Sequence, residues 1–276
     1  WFELRFTVRR RRLAELSSLL FRLGVGAVEE RSLPRAALLV TYFEVEAEAL
    51  RVKSAVESTG LAEALELIEH EGREWATAYV DYLKPEPLGE RFLLIPEGHA
   101  LPDAGGRTPL WFEPGHAFGV GSHATTRLAS AALERRLGAG GCASVLDVGT
   151  GTGVLALIAA CLGASRVVGV DIHQESILLS RRSALLNGMA ERVEFVVGSA
   201  DAITERFSVV VANIEWPTWQ LIGRQIGERA LSGGKVIATG VVQGCRAEAE
   251  ALWSSLGWTV EGFEQLEDWC LWELGA

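Results

Sequence analysis

The chain has 276 residues, of which 49% are hydrophobic and 22% are charged, and its formal net charge at pH 7 is −10. This length and composition are typical of a globular protein with one large domain, or with a large and a small one. No apolar run reaches the ~18 to 20 residues of a transmembrane helix, and the acidic balance argues against direct binding to nucleic acid, which requires a basic surface. We therefore expect no membrane or nucleic-acid contact, and a basic protein as partner.

The cysteines and the N-terminal segment indicate the compartment. Four cysteines lie far apart with no C-x-x-C spacing, at positions 142, 161, 245 and 270, so we expect no metal site and a reduced, cytoplasmic location. The first residues, "WFELRFTVRRRRL", lack a charged leader followed by an apolar segment, and we expect no signal peptide. The basic run at residues 9–12 is more typical of the solvated start of a helix than of a nucleic-acid site.

Residues 1–71 alternate between strand and helix patterns. "WFELRFTV" alternates apolar and polar residues like a strand, and "RRLAELSSLLFRLG" has apolar residues at helical spacing. A short strand "GAVEERS", a strand "AALLVTYFEV", a helix "EAEALRVKSAVEST" and a strand "ALELIEH" follow. This β-α-β-β-α-β order is ferredoxin-like. Because the segment has no glycine loop, histidine pair or clustered nucleophile, we expect a small α+β domain for recognition rather than for chemistry.

The segment 72–88 separates this domain from the rest of the chain. "REWATAYVDYLKPEPLG" has apolar and aromatic residues at helical spacing, which predicts a linker helix and a second domain over 89–276. That domain opens with two short strands, "RFLLIP" and "PLWFEP", followed by "PGHAFGVGSHATT" at residues 114–126 and a helix, "RLASAALERRL". Glycines at this density indicate backbone that approaches a ligand closely or adopts positive φ.

From residue 142 onward strands and helices alternate, which predicts an α/β fold. Strands rich in Val and Ile, "SVLDVG", "RVVGVDI", "VEFVVG", "FSVVVANI" and "GKVIATGV", are separated by helical segments. This pattern is typical of a parallel sheet that is covered on both faces. The last two strands, "TVEGFEQLED" and "WCLWEL", have no helix between them, and we expect them to pair as an antiparallel hairpin at one edge.

The turn in "VLDVGTGTGVLAL" predicts a nucleotide-like ligand, because it lies between a strand and a helix. Gly149, Gly151 and Gly153 are spaced G-x-G-x-G. The nicotinamide fingerprint G-x-G-x-x-G would instead place its third glycine at Val154. Asp147 precedes the turn, where a carboxylate disfavours a pyrophosphate but can hold the ammonium of S-adenosylmethionine. The pattern therefore favours S-adenosylmethionine over NAD.

Residues at the ends of the following strands are further candidates for the site. Asp171 ends "VVGVD", where a carboxylate accepts hydrogen bonds from both ribose hydroxyls. "GSADAI" follows the third strand, which makes Ser199, Ala200 and Asp201 candidates for contact with the adenine. Asn213 ends the fourth strand, beside the switch point where ligands of such sheets bind, and is a further candidate for the site.

These stretches resemble the class I, S-adenosylmethionine-dependent ribosomal protein L11 methyltransferase family. "HAFGVGSHATT" is similar to the family's A-F-G-T-G-x-H-x-T-T, and "VLDVGTGTGVLALIAACLGA" and "VGVDI" match its cofactor motifs. "VVVANI" resembles its V-A-N-I, "ATGVV" its S/T-G-I, and "EDWC" its E-x-W. The similarity covers nearly the whole chain, including the N-terminal α+β unit and the aromatic linker.

The resemblance implies a two-domain enzyme. Its larger domain would have a class I methyltransferase sheet, Rossmann-like and mostly parallel with an antiparallel C-terminal edge, and its small N-terminal domain would be ferredoxin-like. The N-terminal domain would grip the ribosomal protein, while the larger domain transfers methyl groups from S-adenosylmethionine to amines, namely lysine side chains and an N-terminus. We expect a cytoplasmic monomer whose substrate is ribosomal protein L11.

The resemblance also implies roles for individual residues. The cofactor would be bound by Thr126, Asp147, Gly149, Thr150, Gly151, Gly153, Asp171, Ile172, Ser199, Ala200 and Asn213. The amine would be held by the side-chain oxygen of Asn213 and the carbonyl of Ile214, the two catalytic positions. The segment that frames the amine would contribute Phe118, Gly119, Gly121, His123 and Thr125. From their place directly after Ile214, and not from the resemblance, Glu215 and Trp216 are further candidates beside the amine. Thr125 or Thr126 could instead only cap the helix that follows.

The chain departs from the family pattern at three places. Val120 stands where the family has a threonine, and His173 replaces an acid two places after the ribose acid. After the V-A-N-I motif the chain continues with Glu215, Trp216 and Pro217 instead of small or apolar residues. These residues could hold a lysine by charge and cation–π contact, narrow the pocket, or pack away from it. The departures bear on the substrate more than on the cofactor.

Several alternatives stay open at this point. The same cofactor could serve a small-molecule methyltransferase, although a separate recognition domain argues against it. The chain could be an inactive paralogue that binds S-adenosylmethionine and a partner without turnover. An NAD dehydrogenase is disfavoured by the glycine spacing, and a nucleic-acid methyltransferase by the charge. Asp147 and Asp171 could also be unliganded acids at the start of a helix and the end of a strand.

Overall fold

The structure, a computed structural model, describes residues 1–25, 28–34, 36–43, 45–70, 83–114, 123–138 and 143–275. The chain divides into two units, Trp1–Leu83 and Lys84–Ala276. Each unit has a hydrophobic core of its own.

The N-terminal unit is one antiparallel sheet with two helices on one face. Its elements are β1 (Phe2–Arg9), α1 (Leu13–Arg22), β2 (Glu29–Ser32), β3 (Ala36–Phe43), α2 (Glu46–Thr59) and β4 (Ala64–Glu69). The strand order is β2-β3-β1-β4, and each neighbouring pair is antiparallel. Alternate residues of β1, such as Leu4 and Phe6, form the core with Leu16 of α1 and Val52 of α2. The predicted ferredoxin-like order is confirmed.

The basic run between β1 and α1 is engaged within this unit. Arg10–Arg12 form a 3-10 turn that leads into α1. Arg9 pairs with Glu63, and Arg12 donates to the carbonyl of Gly60 (3.0 Å) at the C-terminal end of α2. An arginine at that position stabilises the negative end of a helix dipole. The run therefore starts one helix and caps another, in agreement with the helix-start interpretation.

The C-terminal unit alternates strands and helices over most of its length. Its elements are β5 (Glu86–Leu88), β6 (Phe92–Pro96), β7 (Thr108–Phe112), α3 (Ala124–Leu137), β8 (Ser144–Val148), α4 (Val154–Cys161), β9 (Arg166–Asp171), α5 (Gln174–Leu186), β10 (Val193–Val197), β11 (Phe207–Asn213), α6 (Trp216–Glu228), β12 (Ala230–Val242), α7 (Arg246–Ser255), β13 (Thr259–Leu266) and β14 (Trp269–Gly275). A separate three-stranded sheet has the order β5-β6-β7.

The main sheet has seven strands in the order β10-β9-β8-β11-β12-β14-β13. Strands β8 to β12 are parallel to one another, whereas β14 is antiparallel to both β12 and β13. Successive residues of β8, from Val145 to Val148, are all buried, which indicates that both faces are covered. The predicted α/β fold with an antiparallel C-terminal edge is confirmed. The chain order reverses between β8 and β11, so the ends of these strands form the switch point.

Three large rings on different elements form the centre of the main core. Trp219 of α6, Trp253 of α7 and Trp272 of β14 are fully buried. The Trp253 ring lies edge-on to Trp219 and to Trp272, with centroids 4.9 Å and 6.0 Å away. We refer to these three residues as the tryptophan cluster. It anchors α6 and α7 against β12 and β14, because such rings bury the largest apolar areas.

Two element boundaries differ from the predictions. Glu86–Leu88, placed at the end of the linker helix, form strand β5, which pairs antiparallel with β6. Of the linker predicted over 72–88, residues 72–82 lie outside the described residues. Helix α3 begins at Ala124, so Thr125 and Thr126 lie inside its first turn rather than before it. Pairing with β6 makes Glu86–Leu88 a strand, and the side chain of His123 sets the start of α3 by capping it.

Candidate functional site

The glycine turn between β8 and α4 requires positive φ angles. Gly149, Gly151 and Gly153 have φ of 73°, 55° and 84°, a left-handed region in which glycine is unstrained. At Gly149 a Cβ would lie 2.6 Å from the Cγ2 atom of Ile214, so glycine also permits contact with the segment after β11. The turn therefore brings its backbone to the switch point.

Asp147 of β8 is a buried carboxylate with one unused oxygen. It is 1% exposed, and its Oδ2 accepts hydrogen bonds from the Thr150 hydroxyl (2.6 Å) and the Ala156 N–H (3.2 Å). No described residue donates to its Oδ1. Burial raises the pKa of Asp147 to about 7 against the opposing effect of the two hydrogen bonds, and the charge of Asp171 adds to the increase. Burying a charged carboxylate costs free energy unless a cation pairs with it. The ammonium of S-adenosylmethionine would be such a cation.

Asp171 at the end of β9 is connected directly to the glycine turn. Its Oδ2 accepts the N–H of Gly151 (3.1 Å), and its Oδ1 accepts the N–H of His173 (2.9 Å). The His173 ring nitrogen Nδ1 lies 3.2 Å from the same oxygen. The carboxylate is thus held in a fixed orientation beside the turn. It retains acceptor capacity on both oxygens, as the predicted contact with ribose hydroxyls requires.

The segments that follow β9 and β10 lie side by side. Val197 of β10 pairs with Asp171, and the Asp171 carbonyl accepts the N–H of Gly198 (2.8 Å). Ile172 is a large apolar residue that is 63% exposed, a position suited to an aromatic ligand such as adenine. Ala200 is fully buried in the main core, so its side chain is not available to a ligand. Its predicted adenine contact could involve only the backbone.

Asn213 meets the glycine turn at a small cavity. The cavity is lined by Thr126, Gly149, Thr150, Thr152, Val154, Leu155 and Asn213. Asn213 Nδ2 lies 3.5 Å from the Thr126 hydroxyl. Its Oδ1 is buried and accepts no hydrogen bond from any part of the chain that the structure describes. The structure therefore brings the predicted substrate residue to the predicted cofactor site and leaves it one unsatisfied acceptor.

Ile214 lies between two glycines. A Cβ at Gly149 would meet its side chain, and a Cβ at Gly240, which has φ of 85°, would lie 2.6 Å from its carbonyl carbon and 2.9 Å from its nitrogen. The backbone after β11 is thus held against β12 at a position that admits no side chain. Gly240 had no predicted role. The only signal was its place in the "ATGVV" motif.

His123, and not a threonine, caps helix α3. Its Nδ1 accepts the Thr125 N–H (3.4 Å) and lies 2.7 Å from the Thr125 hydroxyl. The alternative in which Thr125 or Thr126 caps the helix is therefore wrong. The His123 ring packs edge-on against Trp269 of β14, with centroids 4.7 Å apart. Trp269 belongs to the "EDWC" motif, which this contact connects to the glycine-rich stretch.

Glu215 and Trp216 form the start of helix α6. Glu215 is its N-cap residue, and its carbonyl accepts the N–H groups of Thr218 and Trp219, both at 3.0 Å. The half-buried Trp216 ring packs edge-on against Trp253, with centroids 6.3 Å apart. Of the three interpretations of this segment, packing away from the amine is the one that the Trp216 contact favours.

A pair of carboxylates lies at the ends of β6 and β7. Arg182 of α5 donates to Glu97 (2.6 Å), and its Nε lies 3.5 Å from Glu113. Burial, together with a hydrogen bond and the charge of Glu97, raises the pKa of Glu113 to about 7 against the opposing effect of Arg182. The same contact lowers the pKa of Glu97, as does the arginine. Glu113 therefore holds a proton near neutral pH, next to the glycine-rich stretch.

Part of the predicted site lies outside the described residues. Phe118, Gly119, Val120 and Gly121 belong to the segment 115–122, which the structure does not describe. Within the described ranges, no three His, Cys, Asp or Glu side chains lie close enough together to hold a metal ion. No described helix has the length and apolar character needed to cross a membrane.

Comparisons with known proteins agree with this geometry. The sequence model of one family, described as "Ribosomal protein L11 methyltransferase (PrmA)", matches residues 1–274. A ribosomal protein L11 methyltransferase of Sorangium cellulosum is 34% identical over 251 residues, which are 88% of this chain and 79% of the relative. One from Xylella fastidiosa is 38% identical over 202 residues, 71% of this chain and 65% of the relative.

A solved structure extends the comparison to the fold. The crystal structure of a ribosomal protein L11 methylase from Lactobacillus delbrueckii subsp. bulgaricus has a TM-score of 0.64 and 27% identity, and the match covers 70% of this chain and 98% of that one. The family match confirms the resemblance that the motifs indicated. It also confirms the predicted enzyme class, a protein methyltransferase that uses S-adenosylmethionine.

Proposed function

The chain belongs to the ribosomal protein L11 methyltransferase family, and we propose that it transfers methyl groups from S-adenosylmethionine to lysine side chains or the N-terminus of ribosomal protein L11. One observation carries the proposal. Asn213, with a buried and unsatisfied Oδ1 among the described residues, lines the same cavity as the glycine turn. An acceptor is thereby placed where an amine could approach the methyl donor.

The cofactor would be held at both of its ends, by a carboxylate at the methionine part and by a carboxylate and an apolar side chain at the adenosine. Asp147 Oδ1 would accept the ammonium of the methionine part, which would restore the charge of a carboxylate whose pKa burial raises to about 7. Asp171 would accept the ribose hydroxyls, and Ile172 would cover the adenine. The bound cofactor supplies a methyl group on a cationic sulfur. A pyrophosphate would gain nothing from Asp147, which also argues against a dinucleotide.

The remaining chemistry is orientation. The Asn213 Oδ1 and the Ile214 carbonyl would accept the hydrogens of the substrate amine and direct its lone pair at the methyl group. Placing two reactants in this way can supply up to ~7 to 11 kcal/mol of the barrier. The amine must first lose a proton, and a site with little water favours the neutral amine because desolvation lowers the pKa of lysine.

The two units of the chain would divide the work. We assign recognition of the ribosomal protein to the N-terminal domain over 1–71, connection to 72–88 and methyl transfer to 89–276. The net charge of −10 suits a basic protein substrate. Arg9 and Arg12 of the basic run already contact groups of their own unit, which argues against the run as a surface for nucleic acid. We expect a cytoplasmic monomer.

The test is incorporation of labelled methyl groups from S-adenosylmethionine into purified ribosomal protein L11, located by peptide mass. Label on lysines or on the N-terminus is expected with the wild-type chain. Asn213→Ala should reduce it at least ~100-fold, because the acceptor that orients the amine is lost. Leu221→Ala, at a residue of α6 that is 81% exposed, is the control and should retain full activity. Cofactor binding without any label would contradict the proposal and favour a different target or an inactive paralogue.

A further inference from the structure

A bulge in β12 lies directly beside the end of β11. The pairing of β12 with β14 shifts between Ala238 and Val241, so that Thr239 and Gly240 lie opposite the single residue Leu271. On its other side, Thr239 pairs with Asn213. Bulges of this kind bend a strand and redirect what it carries, and they occur often next to active sites. Here the bulge places Gly240 against the backbone of Ile214.

Two buried hydrogen bonds hold the bulge. The Thr239 hydroxyl donates to the carbonyl of Cys270 (2.8 Å), and the Thr239 carbonyl accepts the indole N–H of Trp219 (2.9 Å). Thr239, Trp219 and Cys270 are all fully buried. A carbonyl without its donor at such a position would cost about 1 to 3 kcal/mol. The bulge is therefore fixed from β14 and from α6 at once.

The contacts close a ring around the candidate amine site. Asn213 and Ile214 continue into α6, α6 carries Trp219, Trp219 binds Thr239, and the next residue, Gly240, contacts Ile214 again. The segment between β11 and α6 is thus held at both ends and along its backbone. A displacement of Thr239 would be transmitted to Ile214, because no side chain separates Gly240 from it.

We propose that Trp219 and Gly240 are positioning residues that fix the Asn213–Ile214 backbone for methyl transfer. Neither residue is assigned contact with substrate or cofactor. The inference rests on the proposed function for its consequence in catalysis, whereas the ordering of the backbone can be measured without activity. It also gives Trp219, alone among the three rings of the tryptophan cluster, a role beyond packing.

The tryptophan cluster contains a matched control. Trp253 is as deeply buried as Trp219 and contacts it ring to ring. Its indole N–H, however, has no hydrogen-bond partner in the described part of the chain. Trp219→Phe and Trp253→Phe therefore both shrink a buried ring in the same core. Only the first removes a hydrogen bond to the bulge.

Hydrogen exchange on the cofactor-free protein tests the positioning itself. In Trp219→Phe, the peptide that contains Ile214 should exchange at least about tenfold faster than in the wild type, because local opening becomes easier. In Trp253→Phe the same peptide should exchange at the wild-type rate. Each protein is measured at a temperature the same number of degrees below its own Tm, so that a difference in global stability does not affect the comparison. Equal exchange in the two variants would overturn the proposal.

Kinetics with ribosomal protein L11 test the consequence. Trp219→Phe should lower kcat about tenfold, and Gly240→Ala about 100-fold, since small misplacements near reacting atoms cost this much. The Kd for S-adenosylmethionine should stay within twofold, and Trp253→Phe should keep the wild-type kcat. If the wild-type chain methylates no substrate, the proposed function is wrong. The hydrogen-exchange comparison still tests whether Trp219 positions the backbone. An active wild type with indistinguishable variants would refute the positioning role alone.

Discussion

Asp147→Asn is expected to weaken the binding of S-adenosylmethionine and to abolish its dependence on pH below 7. The substitution keeps the size of the side chain, and an amide oxygen can still accept the bonds from Thr150 and Ala156. It removes the negative charge next to the position at Oδ1, to which no described residue donates. The variant therefore isolates the charge that we assign to the ammonium of the cofactor.

The magnitude follows from the burial and the pKa of the carboxylate. A hydrogen bond to a charged group contributes about 1.5 to 3 kcal/mol, so binding at pH 7.5 should weaken about 10- to 150-fold. Burial raises the pKa of Asp147 to about 7, and a bound ammonium would lower it again. Wild-type affinity should then fall about tenfold per pH unit below 7 and level off above it. The variant has no such proton to release and should show no slope.

Isothermal titration between pH 5.5 and 7.5 measures both effects. The matched control ligand is 5′-methylthioadenosine, which has the same adenosine but neither ammonium nor carboxylate. Its affinity should be equal for the wild-type chain and the variant at every pH. Titrations in buffers of different ionisation enthalpy should also show the release of a proton when S-adenosylmethionine binds below pH 7.

Two outcomes would refute this reasoning. A wild-type affinity for S-adenosylmethionine that does not change between pH 5.5 and 7.5 would break the link between the ionisation of Asp147 and binding. An equal loss of affinity for S-adenosylmethionine and 5′-methylthioadenosine would mean that Asp147→Asn disturbs the binding of adenosine rather than of the ammonium. Unfolding is not expected to interfere, because a carboxyl whose folded pKa lies above its unfolded value of 3.8 destabilises the fold as pH rises through about 7. The amide should therefore be at least as stable at pH 7.5.

Two further substitutions test neighbouring carboxylates. Asp171→Ala should weaken S-adenosylmethionine and 5′-methylthioadenosine equally, about 10- to 100-fold, because the ribose hydroxyls lose a charged acceptor; a loss for one ligand only would contradict this in the same titrations. Burial raises the pKa of Glu113 to about 7, above its unfolded value, so its contribution to stability is present below pH ~4.5 and is lost as pH rises through 7. The urea midpoint of the wild-type chain should therefore fall between pH 5 and 8, and Glu113→Gln should reduce this fall. The exposed control Glu90→Gln should not change it. The same dependence of the midpoint on pH in the wild type and in Glu113→Gln would disprove the raised pKa of Glu113.

The order of elements and the location of the site follow from local sequence patterns. Period-2 and helical spacings predict most strands and helices, and the glycine run with Asp147 predicts the turn after β8. These predictions succeed because backbone conformation and the burial of one face depend on neighbours within a few residues. The placement of Asn213 beside the turn also follows, since strand ends in a parallel sheet converge at the switch point.

Close approaches between distant segments needed the tertiary structure. The sequence offered a threonine cap only as an alternative, whereas His123 caps α3 and its ring packs against Trp269. Nothing local distinguishes Trp219, whose N–H holds the bulge, from Trp253, whose N–H binds no described group. A bulge, a ring contact or a glycine contact depends on register and packing between elements far apart in the chain, and these are settled only when the whole core assembles. The sequence by itself thus determined the fold class, the family and the position of the glycine turn, while the assembled core decided which side chains hold the Asn213–Ile214 backbone in place.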